Sequence, residues 1–216
     1  MAETVIVANG TFPKKGGAEW TLLAAAKRVV ACDGAVAAYR RRFGQWPAVI
    51  VGDFDSIRDV QVLQAPPTCE LVRFTDQDTN DLEKAIVFCA MRGWRNPVIV
   101  GAAGKREDHT LGNVFRALDY GCEIVTDLGR FVPVCGKAAF KVVKGAAVSI
   151  FAPDPKTRMT SKGLEWPLDN VTFKNLYCAT LNRATGSRVT LTATRSVSVF
   201  IAMSGERPRR RTSKVL

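Results

Sequence analysis

One stretch decides how this chain folds: Val49-Ile50-Val51-Gly52-Asp53-Phe54-Asp55-Ser56. Its three apolar residues predict a short buried β-strand, which ends at Gly52. In extended backbone, residues two apart point to the same side, so Asp53 and Asp55 emerge together while Phe54 turns back toward apolar packing. Two carboxylates on one side repel each other unless a cation lies between them. The stretch therefore predicts a divalent-ion site, and Mg²⁺ that also carries nucleotide phosphates suits hard oxygen ligands of this kind.

Strand-like and helix-like segments alternate along the first part of the chain. Strands are predicted over residues 4–8, 28–32, 49–51, 70–74, 97–100 and 122–125, and helices over 18–27, 35–43, 56–63, 80–93 and 111–120. Such alternation is typical of an α/β domain with a mostly parallel, Rossmann-like sheet and helices on both faces. In this fold class, ligands bind at the carboxyl ends of the strands.

From about Val132 the pattern changes to short β-like runs separated by Gly, Pro, Asn and Asp. The runs cover residues 140–143, 147–151, 171–173, 188–191 and 196–201. They predict a second, all-β domain, which we expect to be a small sandwich. We therefore divide the chain into an α/β nucleotide-binding domain over residues 1–133, a β-sandwich domain over 134–205 and a basic, disordered tail over 206–216.

Composition narrows the class of protein. The chain has 216 residues and is 47% apolar, which is ample for a packed core. No apolar run approaches the roughly 18 residues that a membrane span needs, and the first residues do not resemble a signal peptide. The six cysteines are scattered without a C-x-x-C pair, and several lie in apolar strand-like runs, so we expect buried free thiols. We also expect a cytoplasmic protein without a membrane partner. The single histidine, His109, excludes a multi-histidine metal site.

The net charge of +11 raises the alternative of a basic nucleic-acid-binding module. Much of this charge lies in residues 207–214, and the cluster Arg40–Arg42 closes a predicted helix, where cations suit the helix dipole. Neither cluster contains interleaved aromatic residues for base stacking. The distribution of charge therefore does not favour a nucleic-acid partner.

The charged side chains that could carry chemistry follow predicted strands or open the next helix. They are Asp33, Asp53, Asp55, Asp78, Asp81, Lys105, Arg106 and Asp108. The glycine-rich turn Gly101–Gly104 lets the backbone approach a phosphate, and Lys105 and Arg106 add cationic groups beside it. The turn departs from G-x-x-x-x-G-K-[ST] and so is not a standard P-loop. Acids for Mg²⁺ and basic donors for phosphate on one sheet edge indicate phosphoryl-type transfer.

Six blocks of the sequence resemble, in order and spacing, the signature of the thiamine pyrophosphokinase (thiamine diphosphokinase) family. They are Asn9-Gly10, Asp33-Gly34-Ala35, and residues 52–57, 77–85, 104–113 and 163–168. The resemblance covers nearly the whole chain. It implies a homodimer with the active site at the subunit interface. It also implies transfer of the pyrophosphoryl group of ATP to the hydroxyl of thiamine, which leaves AMP.

The resemblance also implies roles for single residues. The expected catalytic residues are Asp53, Asp55, Asp78, Asp81 and Asp108, and all of these except Asp81 are expected Mg²⁺ ligands. The expected ATP contacts are Asn9, Asp33, Gly34, Gly104, Lys105, Arg106, His109 and Asn113. The expected thiamine contacts are Gln77, Asp81, Trp166 and Asn182. Trp166 matches the aromatic residue that stacks on the pyrimidine ring across the dimer interface.

The sequence departs from the family pattern at three positions. Ala35 stands where a second glycine is common, Asn80 stands in place of threonine, and Leu181 stands in place of a serine. The missing serine hydroxyl concerns a hydrogen bond to the thiamine ring and leaves the nucleotide chemistry intact.

A second enzyme class stays open as an alternative. Asp53-Phe54-Asp55 resembles the D-x-D block of Mg²⁺-dependent phosphohydrolases of the haloacid-dehalogenase type, in which the first Asp is a covalent nucleophile. In that class the nucleophile usually follows the first strand of the domain, whereas two predicted strands precede Asp53. The glycine-rich turn with Lys105 and Arg106 would also have no role in it.

Overall fold

A computed structural model describes residues 2–54, 65–76 and 78–205. The chain has a mixed α/β fold with a large mixed sheet and few helices. It divides into two compact units, Met1–Pro133 and Val134–Leu216. The helix predicted over 56–63 and the tail predicted over 206–216 lie outside the described residues. None of the helices in the described ranges combines the length and apolar character needed to cross a membrane.

In its described residues, the first unit has four α-helices and a sheet of six parallel strands. Its elements are β1 (Thr4–Val7), α1 (Ala18–Ala24), β2 (Arg28–Cys32), α2 (Val36–Phe43), β3 (Val49–Gly52), β4 (Glu70–Arg73), α3 (Asp81–Met91), β5 (Val98–Val100), α4 (Glu107–Asp119) and β6 (Glu123–Val125). The strand order is β6-β5-β1-β2-β3-β4, and every neighbouring pair is parallel. The carboxyl ends of these strands therefore share one edge.

Alternate residues of β1 pack into two different apolar clusters. Val7 lies in a cluster with Tyr39 of α2. Ile6 lies in another cluster, with Ile86 of α3 and Val114 of α4. Because both faces of the strand are covered, its residues are apolar without interruption, as expected for a buried parallel strand.

Helix α3 begins with half of the capping box that its sequence predicts. Asn80 Oδ1 accepts a hydrogen bond from the Glu83 N–H at 2.9 Å. The Glu83 carboxylate is directed at α4 instead of back to Asn80: it accepts a 2.7 Å hydrogen bond from the Tyr120 hydroxyl and forms an ion pair with Arg116. The Glu83 side chain thus connects α3 with α4 instead of completing the capping box.

Helix α4 begins at Glu107, four residues before the predicted start at Leu111. The prediction followed apolar periodicity, which starts only at Leu111. The first turn instead carries Glu107 and Asp108, whose negative charges suit the amino-terminal end of a helix.

The second unit is built from antiparallel strands. Its elements are β7 (Gly129–Lys141), which begins in the first unit, β8 (Ala146–Phe151), β9 (Met159–Lys162), β10 (Ala179–Arg183) and β11 (Arg188–Gly205). Strand β8 pairs with β10 and β11, and β9 pairs with β11. The predicted runs 188–191 and 196–201 are parts of one strand, and the predicted strand 171–173 is a single bridge between Val171 and Met159. Strands β9 and β10 were not predicted because their sequences are largely polar and their pairing partners stabilise them.

We expect Ile50→Ala in β3 to lower the free energy of unfolding by roughly 2–5 kcal/mol, because it would leave a cavity beneath a strand that is covered on both faces. Ile50 is fully buried against Ala31, Val36 and Cys69. Urea denaturation followed by circular dichroism measures the change. Leu128→Ala, at a side chain that is 79% exposed, is the control and should cost little. Equal losses for the two variants would contradict this account of the core.

Candidate active site

Three carboxylates meet at the carboxyl edge of the parallel sheet. Asp33 follows β2, Asp53 follows β3, and Asp81 is the first residue of α3. One oxygen from each lies within 4.8 Å of the other two. Because parallel strands end at one edge, residues distant in sequence converge there. The donor set, three hard anionic oxygens, fits a divalent cation such as Mg²⁺.

Asp33 also fixes the backbone around this cluster. It is buried, and its two oxygens accept hydrogen bonds from the backbone N–H groups of Gly34, at 2.5 Å, and Phe54, at 3.1 Å. Phe54 has φ of 62°, in the left-handed region. A Cβ on Gly52 would lie 2.5 Å from the Asp33 carboxylate, so glycine is required there. Gly52 therefore makes room for Asp33 as well as ending the strand.

The pKa of Asp33 reflects this crowding. Burial, and after it the negative charge of Asp81, raises the pKa of Asp33 from 3.8 to about 6. A carboxyl whose pKa is raised on folding makes the folded state less favourable as the pH rises from 3.8 to about 6. The cluster therefore has a free-energy cost at neutral pH that a bound cation would offset.

Lys84 of α3 places a positive charge at the same cluster. Its ammonium nitrogen lies 3.5 Å from Asp81 Oδ1 and 4.0 Å from Asp53 Oδ2, and the side chain is buried. Lys84 lies inside the family block 77–85, but no role was predicted for it. Its position three residues after Asp81 on a helix was the available signal.

A cavity of about 430 Å³ in the first unit connects the carboxylates with the predicted phosphate-binding side chains. Its lining includes Asn9, Asp53, Asp81, Lys84, Lys105, Arg106, His109 and Asn113. Anionic and cationic side chains thus face the same cavity. A polyphosphate with its counter-cation requires this combination.

The glycine-rich turn after β5 is held closely against the turn after β1. The Gly10 N–H donates to the Gly101 carbonyl at 2.6 Å, and the Thr11 N–H donates to the Ala103 carbonyl at 2.7 Å. A Cβ on Gly10 would lie 2.4 Å from the Gly101 oxygen. Gly104 has φ of 93°, and a Cβ there would also meet Thr11. Glycines in both turns therefore allow two backbones to meet beside the cavity.

Asn9 orients Lys105. The Lys105 ammonium donates to Asn9 Oδ1 at 2.9 Å. A Cβ on Gly34 would lie 2.1 Å from Asn9 Nδ2, so Gly34 leaves the space that Asn9 occupies. Two of the predicted nucleotide contacts, Asn9 and Gly34, are thus linked through packing.

Asn113 joins the glycine-rich turn to the start of α3. Its Nδ2 donates to the Ala102 carbonyl at 2.9 Å, and its Oδ1 accepts from Asn80 Nδ2 at 3.3 Å. Asn113 is buried. Asn80, in the place of the family threonine, both caps α3 and contacts Asn113.

Two of the predicted metal ligands lie outside the cluster of three. Asp108 is exposed, and Arg106 donates to both of its oxygens, at 3.1 and 2.5 Å. The Arg106 guanidinium lowers the pKa of Asp108 to about 2. The Asp78 N–H donates to Asp76 Oδ1 at 2.9 Å in the loop before α3.

Two further predicted site residues, Asp55 and Gln77, lie outside the described residues. The predicted ligand set of Asp53, Asp55, Asp78 and Asp108 therefore stays a prediction. The described cluster shares only Asp53 with it and brings in Asp33 and Asp81.

In the second unit, Asn182 fixes the backbone of Trp166. Asn182 is buried, its Oδ1 accepts from the Trp166 N–H at 3.1 Å, and its Nδ2 donates to the Trp166 carbonyl at 2.7 Å. The Trp166 side chain is 55% exposed, and Leu181 is 84% exposed. An aromatic face is therefore held at a fixed place on the surface of this unit.

The first unit combines a parallel α/β sheet, clustered carboxylates and a cationic glycine-rich turn at the carboxyl edge. This combination is typical of enzymes that transfer phosphoryl groups. Two family models match the chain: the catalytic domain of thiamin pyrophosphokinase over residues 20–125, and its substrate-binding domain over residues 129–200.

The chain is also similar to individual proteins. Thiamin pyrophosphokinase 1 of Caenorhabditis elegans is 30% identical over 199 residues, which cover 82% of this chain and 80% of that protein. The solved thiamin pyrophosphokinase of Geobacillus thermodenitrificans has a TM-score of 0.73 at 23% identity and covers 94% of this chain and 98% of that chain. The corresponding structure from Candida albicans has a TM-score of 0.74 at 15% identity, with coverage of 94% and 90%.

The chain therefore belongs to the thiamin pyrophosphokinase family. It is an enzyme, a transferase of thiamine diphosphate synthesis. The family predicted from six sequence blocks is confirmed. The comparisons therefore do not support the haloacid-dehalogenase and nucleic-acid-binding alternatives.

We expect Asn113→Ala to lower the free energy of unfolding by about 1–3 kcal/mol, because the change leaves the buried Ala102 carbonyl and the Asn80 amide without this partner. Thermal and urea denaturation measure the loss. Thr110→Ala, one turn away on α4, removes an exposed hydroxyl that bonds only within its own helix and is the matched control. If both variants unfold at the same urea concentration, Asn113 does not link the two segments.

Proposed function

We propose that this enzyme transfers the pyrophosphoryl group of ATP to the hydroxyl of thiamine, with Mg²⁺ as cofactor, and releases thiamine diphosphate and AMP. One observation carries the proposal: carboxylates and phosphate-binding cations line the same cavity. ATP occupies this cavity with its triphosphate between the two sets of side chains.

Asp33, Asp53 and Asp81 supply the oxygens that would hold Mg²⁺, and we extend this set to the predicted ligands Asp55, Asp78 and Asp108. A bound Mg²⁺ neutralises phosphate charge and orients the reacting groups. Asp108 is paired with Arg106 in the described structure. A phosphate is also a bidentate partner for a guanidinium, so a bound nucleotide would compete for Arg106 and free Asp108 for the metal.

The phosphates are bound by the turn 101–104 and the residues that follow it. Lys105, held by Asn9, and Arg106 supply positive charge, and α4 begins directly after them at Glu107. The free N–H groups in the first turn of a helix favour an anion at this position. His109 lines the cavity from that first turn.

The oxygen of the thiamine hydroxyl attacks the β-phosphorus of ATP, and the proton of this hydroxyl passes to a carboxylate. The bond from that phosphorus to the oxygen of the α-phosphate breaks, and AMP leaves. We assign the proton to Asp81, because it lines the cavity whereas both oxygens of Asp33 already accept backbone N–H groups. Positioning and charge neutralisation carry the rest of the catalysis.

Thiamine is bound by the second unit through Trp166, whose exposed face suits a cationic aromatic ligand. Asn182 fixes the position of that residue from within the unit. We propose that the enzyme is a homodimer and that Trp166 acts in the site of the partner subunit. Exposed Tyr177 and Leu181 support an interface on this unit, because large apolar side chains at a surface often mark one.

Two further expectations belong to this proposal. The first unit is Rossmann-like, and the second is a β-sandwich; the parallel pairing of β1 to β6 and the antiparallel pairing of β8 to β11 support them. The protein works in the cytoplasm, where its six free cysteines would stay reduced. Four of them are buried as predicted, whereas the prediction of burial was wrong for Cys135 and Cys178, which are exposed.

We expect Asp53→Asn to lower the rate of AMP formation about 100-fold or more, because it removes a metal-directed charge from the cavity. The assay measures AMP in the presence and absence of thiamine, and circular dichroism checks the fold. Asp119→Asn, at an exposed residue at the end of α4, is the control. Near-normal turnover by a folded Asp53→Asn enzyme would reject the proposed role.

We expect Trp166→Ala to raise the KM for thiamine about tenfold while the KM for ATP changes little, because stacking on a cationic ring is lost. Steady-state kinetics with each substrate varied in turn measure both constants. Trp166→Phe keeps an aromatic face and should recover most of the loss. Equal increases in the two constants would assign Trp166 to packing.

A further inference from the structure

Lys84 is a buried lysine in contact with the carboxylate cluster. Its side chain is 3% exposed, whereas those of Asp53 and Asp81 are 24% and 31% exposed. Lysine is seldom buried to this degree unless it is paired with acidic groups. Lys84 thus lines the cavity beside Asp53 and Asp81 but is much less exposed than either carboxylate.

Among the four described side chains Asp33, Asp53, Asp81 and Lys84, the charges do not balance. Asp33, Asp53 and Asp81 contribute three negative charges when ionised, and Lys84 contributes one positive charge. Their oxygens lie within 4.8 Å of one another, so the repulsion is short-range and only partly screened by water. Lys84 reduces this repulsion, and the same positive charge must repel a divalent cation that enters from the cavity.

We propose that Lys84 is the internal counter-cation of the carboxylate cluster. It holds Asp53 and Asp81 together while no metal is bound, and it keeps the affinity for a free divalent ion low. The cation then binds firmly only when phosphates in the cavity add negative charge on its other side. This inference rests on the proposed function, since it takes the cluster as the metal site.

The two effects of Lys84 are linked by a thermodynamic cycle. A change that destabilises only the metal-free protein must raise the affinity for metal by the same free energy. Removal of the ammonium should therefore lower the melting temperature in chelator and tighten metal binding. A lysine that served only packing would lower the melting temperature equally with and without metal.

The test compares Lys84→Met, Lys84→Arg and Lys27→Met with the natural enzyme. The arginine variant keeps the charge. Lys27 is an exposed lysine paired with Glu3, so its loss changes the net charge without touching the cluster. Mn²⁺, which prefers the same oxygen ligands as Mg²⁺, is titrated without nucleotide and followed by electron paramagnetic resonance. Melting temperatures are measured in EDTA and in saturating Mg²⁺.

We expect Lys84→Met to bind Mn²⁺ about tenfold more tightly than the natural enzyme, a modest part of the Coulomb energy at these distances. We also expect its melting temperature to fall in EDTA and to recover in Mg²⁺. Lys84→Arg and Lys27→Met should bind Mn²⁺ like the natural enzyme. Unchanged or weaker Mn²⁺ binding by Lys84→Met, or an equal loss of stability in both solutions, would overturn the proposal.

Other outcomes are also decisive. If neither the natural enzyme nor Lys84→Met binds Mn²⁺ or is stabilised by Mg²⁺, the metal site of the proposed function fails, and this inference fails with it. If the natural enzyme binds Mn²⁺ but Lys84→Met behaves like Lys27→Met, only the role of Lys84 fails. If Lys84→Met does not fold in EDTA, it should fold in saturating Mg²⁺, and failure to do so counts against the proposal.

Discussion

Repulsion among Asp33, Asp53 and Asp81 is the constraint on which the rest of this site depends. A parallel sheet brings the carboxyl ends of its strands to one edge, so acidic residues from distant parts of the sequence converge whether or not a cation is present. The folded chain moderates their charge in two ways: backbone N–H groups bond to Asp33, and the ammonium of Lys84 lies beside the other two. Among these four side chains an excess of negative charge remains, which a divalent cation can neutralise.

Three glycines of the family blocks are required by close contacts within this site. Gly52 leaves space for the Asp33 carboxylate, Gly34 leaves space for Asn9, and Gly10 lets its turn close on the turn that starts at Gly101. At each of these positions the atom that excludes a Cβ belongs to another part of the site. The blocks that contain Asn9, Asp33 and Gly52 are therefore packed against one another, and a change in one of them displaces a functional group in another.

The sequence was informative where structure depends on local pattern. The parallel strands of the first unit are mostly short apolar runs with a turn residue behind them, as β1 is. All six of these described strands were predicted to within a few residues. Pairing and burial are not visible in this way: β9 and β10 are polar segments stabilised by their neighbours, and Lys84 resembles an ordinary helix-surface lysine until the fold buries it. Asp108 was grouped with the metal ligands because of its position, whereas Arg106, two residues away, already pairs with it.

Two of the departures from the family pattern, Asn80 and Leu181, lie in different surroundings. Asn80 replaces a threonine, yet it caps α3 as a threonine would and also contacts Asn113, so the cavity keeps its support. Leu181 replaces a serine and is 84% exposed, next to the buried Asn182 that holds Trp166. A side chain at the surface can change without disturbing packing, whereas the residues around the cavity are joined by short hydrogen bonds. Differences between this enzyme and its relatives should therefore concern the recognition of the acceptor more than the handling of the metal and the nucleotide.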